Sequence, residues 1–236
     1  MNIDIVTVAH NEEKMIKYFV EHYLPIARKI YILNHESTDK TQTIAESYGD
    51  QIEVISVNFA FSCTELSKVK SDFSKTLDAD FVIVSDTDEL IFPRNCVDIL
   101  YTCKTEGITV PRTAGYHMLS DSFDFESDIY QIKKAFKDSH FDKKIVISPK
   151  VDISWTPGQH YIERHNDKYV ESTDILLQLR HYKYINNSYV FERNQVVGTR
   201  LDKEDVAKGW GTHHLSSVSQ QLQYINDMNS NSINLE

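Results

Sequence analysis

Residues 86–89 read Asp86-Thr87-Asp88-Glu89, three carboxylates within four positions, directly after the apolar run Phe81-Val82-Ile83-Val84. Like charges held this close raise one another's pKa and oppose folding, so the cluster calls for a cation. Hard oxygen ligands at i and i+2 suit Mg²⁺ or Mn²⁺. A Mg²⁺ ion held by one or two carboxylates usually shares its other positions with phosphate oxygens. The chemistry expected from these residues is a divalent metal that holds a nucleotide diphosphate.

Such a site needs a scaffold that delivers it to a strand end. Ile3 to Val8 is a β-branched run, followed by Ala9-His10-Asn11-Glu12-Glu13 and then by Ile16, Phe19, Val20 and Tyr23 at helical spacing. Ile30-Tyr31-Ile32-Leu33 reads as a second strand. Ser37-Thr38-Asp39 opens a helix to about Tyr48, with Ser37 or Thr38 as N-cap. Val54 to Val57 gives a third strand, and a helix from about Ser62 to Leu77 leads into Phe81 to Val84. Alternating strands and helices predict an α/β fold with a mostly parallel sheet and right-handed crossovers. Ligands of such sheets bind where loops leave the carboxyl ends of strands. Asn11 to Glu13, Asn34 to Asp39 and Asp86 to Glu89 all follow strands, and are expected to converge on one sheet edge.

Beyond Pro93 the apolar runs shorten to Ile108-Thr109-Val110, Ile145-Val146-Ile147 and Ile175-Leu176-Leu177. Leu119 to Glu126 reads as a surface loop facing a substrate. The tail from Ser216 is expected to hold a short helix and then to fray. One domain over 1–215 follows, with a nucleotide-binding half at 1–95, an acceptor-binding half at 96–215 and a tail at 216–236.

With 35 acidic against 25 basic residues and a net charge of −10, nucleic acid is excluded as the main partner. Cys63, Cys96 and Cys103 lack C-x-x-C spacing and read as packing thiols of a reducing compartment. The amino terminus has no secretory pattern, and no apolar run nears the ~18 residues that cross a bilayer. A cytoplasmic protein is expected, and peripheral membrane association stays open.

Taken in order, Val6-Thr7-Val8-Ala9-His10-Asn11-Glu12, Leu33-Asn34-His35-Glu36-Ser37-Thr38-Asp39, Val84-Ser85-Asp86-Thr87-Asp88-Glu89-Leu90, Trp155-Thr156-Pro157-Gly158-Gln159-His160 and Leu179-Arg180-His181-Tyr182 resemble a glycosyltransferase of the GT-A fold, family 2 and its relatives. The resemblance spans Ile3 to about Trp210. It implies a transfer of sugar from a nucleotide-diphosphate sugar, with a UDP-sugar expected, to a carbohydrate acceptor, with Mn²⁺ or Mg²⁺ and with inversion, in assembly of a surface polysaccharide. By the same resemblance Asp39 reads the uracil imide, and Asn11 and Glu12 line the nucleotide pocket. Asp86 and Asp88 meet ribose and metal, Glu89 orients a ligand, and His181 completes the metal site. Where the commoner pattern has Asp-Asp-Gly or Asp-Asn-Gly, this chain has Asn34-His35-Glu36.

An inverting transfer needs a base on the acceptor hydroxyl. Asp152, His160 and Glu163 are candidates, with Asp121, Asp124 and Glu126 in the loop; the resemblance favours His160, as the base or as an additional metal ligand. Lys143, Lys144, Arg180 and Arg193 are candidate phosphate partners. In Gly209-Trp210-Gly211-Thr212-His213-His214, Trp210 offers a face to a sugar and a histidine could touch the diphosphate. Two rival readings are a nucleotidyltransferase, whose Gly-rich basic loop is missing after the first strand, and a carbohydrate- or nucleotide-binding protein of the same fold without turnover.

Overall fold

A computed structural model describes residues 1–236. The first half runs β1 (Ile3–Ala9), α1 (Ile16–Tyr23), β2 (Lys29–Asn34), α2 (Thr41–Glu46), β3 (Ile52–Ser56), α3 (Cys63–Ser74), β4 (Phe81–Val84), β5 (Glu89–Phe92) and α4 (Val97–Thr105). The second half runs β6 (Val110–Leu119), β7 (Lys134–Lys137), β8 (Val146–Ile147), β9 (Ser154–Trp155), β10 (Ile162–Arg164), β11 (Glu171–Tyr184), α5 (Asn187–Arg200), α6 (Lys203–Ala207), α7 (Val218–Ser230) and β12 (Ile233–Asn234).

The expected α/β class with a mostly parallel central sheet is what the chain adopts. That sheet has the order β3-β2-β1-β4-β8, parallel except for β8 at its edge. Its central strands β1 and β4 are buried along nearly their whole length, which is why they read as unbroken apolar runs rather than as alternation. A second sheet, β12-β7-β6-β11-β5, is mixed, with β6 and β11 parallel and the other pairs antiparallel. One apolar core joins the two sheets, from Ile5 and Phe81 to Ile91, Leu179 and Tyr182. All three cysteine thiols are free, and no helix is long and apolar enough to cross a membrane.

Several expectations are corrected. The second helix begins at Thr41, not at Ser37. The Asn34 amide oxygen accepts from Ser37 N–H and the Asn11 oxygen from Thr38 N–H, holding that stretch as a loop; Lys40 is the N-cap, and Asp39 before it accepts from Thr41 N–H at 2.9 Å. The third helix starts where expected, because Ser62 Oγ accepts from Glu65 N–H at 3.0 Å, but it stops at Ser74. β6 and β11 far outrun the short apolar segments that signalled them, since polar residues such as Thr113, His117, Arg180 and His181 alternate with their core positions.

Leu119 to Glu126 does not face the cavity described below. Phe123 and Phe125 pack in an aromatic cluster with Tyr18 and Tyr189, and the Tyr18 hydroxyl donates to the Phe125 carbonyl. The tail does not fray either. Ser217 and Gln220 form a reciprocal cap on α7, and β12 pairs with β7 in the register Ile233 to Ala135.

Candidate active site

Asp86, Thr87 and Asp88 fill the turn between β4 and β5, and Glu89 is the first residue of β5. Sheet register then supplies the rest. Antiparallel pairing of β5 with β11 sets Glu89 opposite His181, and parallel pairing of β11 with β6 sets His117 on the other side of His181. A hydrogen bond from Tyr182 N–H to the Asp88 carbonyl, 2.7 Å, fastens the turn to β11. Asp88, Glu89 and His181 each offer a ligand atom within 4.8 Å of the others, and all three are buried. Phe141 stacks on the His181 ring with centroids 4.4 Å apart. Gly115 is required beneath it, since a Cβ there would lie 2.3 Å from the Phe141 carbonyl oxygen.

The hydrogen-bond chain behind His181 fixes its protons. Asp138 Oδ2 lies 3.1 Å from His117 Nε2, and a carboxylate can only accept, so Nε2 of His117 carries the proton. Burial lowers the His117 pKa, which leaves its Nδ1 bare and accepting. His181 Nδ1, 2.9 Å away, must then donate. Its Nε2 is left with a lone pair aimed at Asp88 Oδ2, 3.3 Å distant. A proton on His181 Nε2 would hold the Asp88 carboxyl below the usual range against burial, but burial lowers the His181 pKa and disfavours that proton. Two electron-rich atoms thus face one another across a gap that a cation or an added proton would fill.

The acid cluster is not left to a metal alone. Lys70 on α3 and Lys143 both approach Asp86, and Lys143 also pairs with Glu89. Burial raises Asp86, yet the two lysines together hold its carboxyl well below normal. For Glu89 burial wins over Lys143 and its pKa rises. Glu12 pairs with Arg193, but burial pushes its carboxyl up to about 7. Gln159 steadies this end by accepting from Lys70 Nζ at 2.9 Å and donating to the Val84 carbonyl at 3.1 Å.

These groups line a cavity of about 410 Å³. Glu12, Asp86, Asp88, Glu89, Lys143 and His181 form one wall, His10, His35 and Phe61 another. Arg193 and Arg200 of α5, with Trp210, His213 and His214, cover it. His35 is itself stacked on Phe59, 4.0 Å between centroids, and accepts from Arg200 at Nδ1. His160 lines the cavity too. Its Nδ1 donates to the His140 carbonyl at 2.7 Å, so Nε2 is the basic nitrogen, and burial lowers its pKa.

The structure therefore brings Glu12, Asp86, Asp88, His160 and His181 together around one space. Asn11 and Asp39 are not in it. They border a neighbouring cleft that shares Glu12 and Arg193 with the cavity, and their side-chain oxygens tie the loops after β1 and β2 to each other, Asp39 Oδ2 accepting from Glu13 N–H at 3.0 Å. Asp86 is engaged by lysines and lies outside the close metal-ligating set, whereas Glu89, expected only to orient a ligand, lies inside it. Asp152 sits on the surface, paired with Lys75 at 2.7 Å, and does not border the cavity. Of the basic candidates Lys143 and Arg193 border it. Lys144 pairs with Glu171, and Arg180, one residue from His181 on an alternating strand, stacks on Phe92 instead. Lys70, His117, Asp138 and Lys183 were not singled out in the sequence. Each owes its place to a contact 16 to 64 residues away or to strand alternation, and no local pattern marks it.

No protein-family model and no curated protein matches this sequence. Among solved structures the chain is similar to S. aureus TarS 1-349, at 11% identity and TM-score 0.46, over 85% of this chain and 65% of that one. The same TarS fragment in complex with UDP-GlcNAc gives 12% and 0.47, over 85% and 66%. Glucosyl-3-phosphoglycerate synthase from Mycobacterium tuberculosis, in complex with Mn²⁺, UDP and glucosyl-3-phosphoglycerate, gives 21% and 0.34, over 49% and 44%. The chain spans less than two thirds of the length of each of these. At such identities and TM-scores the likeness assigns neither activity nor substrate.

Proposed function

We propose that this protein is a metal-dependent glycosyltransferase of the GT-A type, moving a sugar from a nucleotide-diphosphate sugar to a carbohydrate acceptor. The observation that carries the reading is the pair Asp88 Oδ2 and His181 Nε2, 3.3 Å apart and both presenting lone pairs, at the floor of the cavity. These two and Glu89 are the residues that would hold a divalent ion. The imidazole favours Mn²⁺ over Mg²⁺, which prefers an all-oxygen shell.

Charge balance supports a phosphate ligand. Asp86, Glu89 and Glu12 are already paired with Lys70, Lys143 and Arg193, which leaves Asp88 without a lysine or arginine partner, so an added divalent cation leaves the site positive and ready for a diphosphate. Bound there, the ion would stabilise charge on the departing diphosphate as a Lewis acid. His10, His35 and Phe61 offer the nucleoside an aromatic wall. His160, kept neutral by burial and with Nε2 unprotonated, is the residue we assign as base on the acceptor hydroxyl.

The test is release of nucleoside diphosphate over a panel of donor sugars with Mn²⁺, wild type against Asp88→Ala. Turnover with at least one donor, lost in the variant, is expected. A wild-type protein that binds UDP and Mn²⁺ but releases nothing above background with any donor would be a binding protein, and the transferase reading would fail.

A further inference from the structure

A second cavity, of about 260 Å³, lies between the end of β11, α5 and α7, and it shares Lys183 and His213 with the first. Its lining contains hydroxyls and amides, among them Tyr184, Asn194, Gln220 and Tyr224, but no carboxylate. Lys183 is its one lysine or arginine. The residue is 6% exposed, and its ammonium makes neither an ion pair nor a hydrogen bond with any protein group. Every other buried lysine in this region is paired: Lys70 with Asp86, and Lys143 with Glu89 and Asp86.

A largely buried lysine whose ammonium reaches only a cavity and has no protein partner is poised to meet an anion that enters that cavity. Two features say where that anion comes from. Lys183 follows His181 by two residues on β11, and it borders both cavities whereas His181 borders only the first. None of the groups expected to meet the nucleotide or metal, neither Asp86, Asp88, His35 nor Phe61, borders the second cavity. Asn194 and His214 hold its α5 side in shape through a 2.7 Å hydrogen bond.

We infer that the second cavity is an acceptor subsite, and that it takes an acceptor bearing an anionic oxygen group, a phosphate or a carboxylate, which Lys183 binds. This rests on the transferase reading for the word acceptor, though not for the anion. A group anchored at Lys183 would direct the remainder of the molecule past His213 into the main cavity, where His160 and the sugar meet it.

The experiment is ligand-observed NMR on the full chain saturated with Mg²⁺ and UDP, titrating glycerol 3-phosphate, with lactate as the carboxylate probe and glycerol as the uncharged control. Wild type is expected to bind at least one of the anionic probes and not glycerol. Lys183→Met should weaken that binding roughly tenfold or more, the worth of one charge-assisted contact, while UDP affinity holds. Lys183→Arg, which keeps the charge, should retain much of it, and thermal melts show that both variants fold. Competition between the probe and UDP, or an equal loss of UDP affinity in Lys183→Met, would assign the lysine to the donor diphosphate and overturn the inference. So would wild-type protein that binds no anionic probe, or a Lys183→Met variant that binds as tightly. Failure of wild type to bind UDP at all would instead count against the donor site, and probe binding abolished by Lys183→Met would still support the anion subsite.

Discussion

Asp138→Asn is expected to weaken Mn²⁺ binding by about 10–100-fold, the usual cost of disturbing a group that orients a metal ligand, although residue 138 is not itself a ligand. Asp138 Oδ1 accepts from the His140 backbone N–H at 2.9 Å, and Oδ2 accepts from His117. An asparagine must keep its oxygen on the His140 N–H, which turns its amide nitrogen, a donor, toward His117 Nε2. The polarity of the chain then inverts. His117 carries its proton on Nδ1 and donates to His181 Nδ1, and the His181 proton moves to Nε2, the atom that faces Asp88. A protonated Nε2 donates to Asp88 and cannot ligate. Mn²⁺ affinity by electron paramagnetic resonance gives the first readout, and ¹⁵N shifts of His181 in the metal-free protein give the tautomer directly. Unchanged affinity with the proton still on Nδ1 would show that the Asp138–His117 chain does not set the ligand.

Lys143→Met is expected to cost about 3–5 kcal/mol of stability, the range for removing one partner of a buried ion pair. Lys143 is 3% exposed and Glu89 1%. Without the ammonium, Glu89 is left charged in a dry site beside Asp86 and Asp88, and it can escape by taking a proton. Its folded pKa, already raised by burial against Lys143, rises further above the unfolded value. Between those two values the folded state binds more protons than the unfolded one, so stability falls as pH rises through that window. The loss should therefore be small in acid and full above it. Urea unfolding on both sides of the window measures this. Adding Glu89→Gln to Lys143→Met should recover part of the loss, because it removes the stranded charge. A variant as stable as wild type at neutral pH would mean that Asp86, Asp88 and Glu89 are not held by Lys143.

What could be read from the sequence divides along a physical line. β1, β2 and β4 are buried on both faces, so their apolar runs announced them, and the polar loops at their ends could be placed together before any coordinates. Polar residues such as Thr113, His117, Arg180 and His181 interrupt the apolar stretches of β6 and β11, and only fragments of these strands were visible. Since His117 and His181 sit in those strands, the chain that fixes the metal-facing nitrogen could not be seen locally; it exists only through cross-strand register. Asp39 shows the opposite limit. An acid just before a helix suits both a base contact and hydrogen bonds to backbone, and the Asp39 oxygens accept from Thr41 and Glu13 N–H. The acid cluster was read correctly as needing positive charge, but Lys70 and Lys143, from a helix before it and a loop after it, supply part of that charge.

The most direct test of the central claim is calorimetry of UDP binding with and without Mn²⁺, using wild type and Asp88→Ala. The structure predicts binding by wild type that requires Mn²⁺ and disappears in the variant. UDP binding of equal strength without the metal, or unaffected by loss of Asp88, would contradict it.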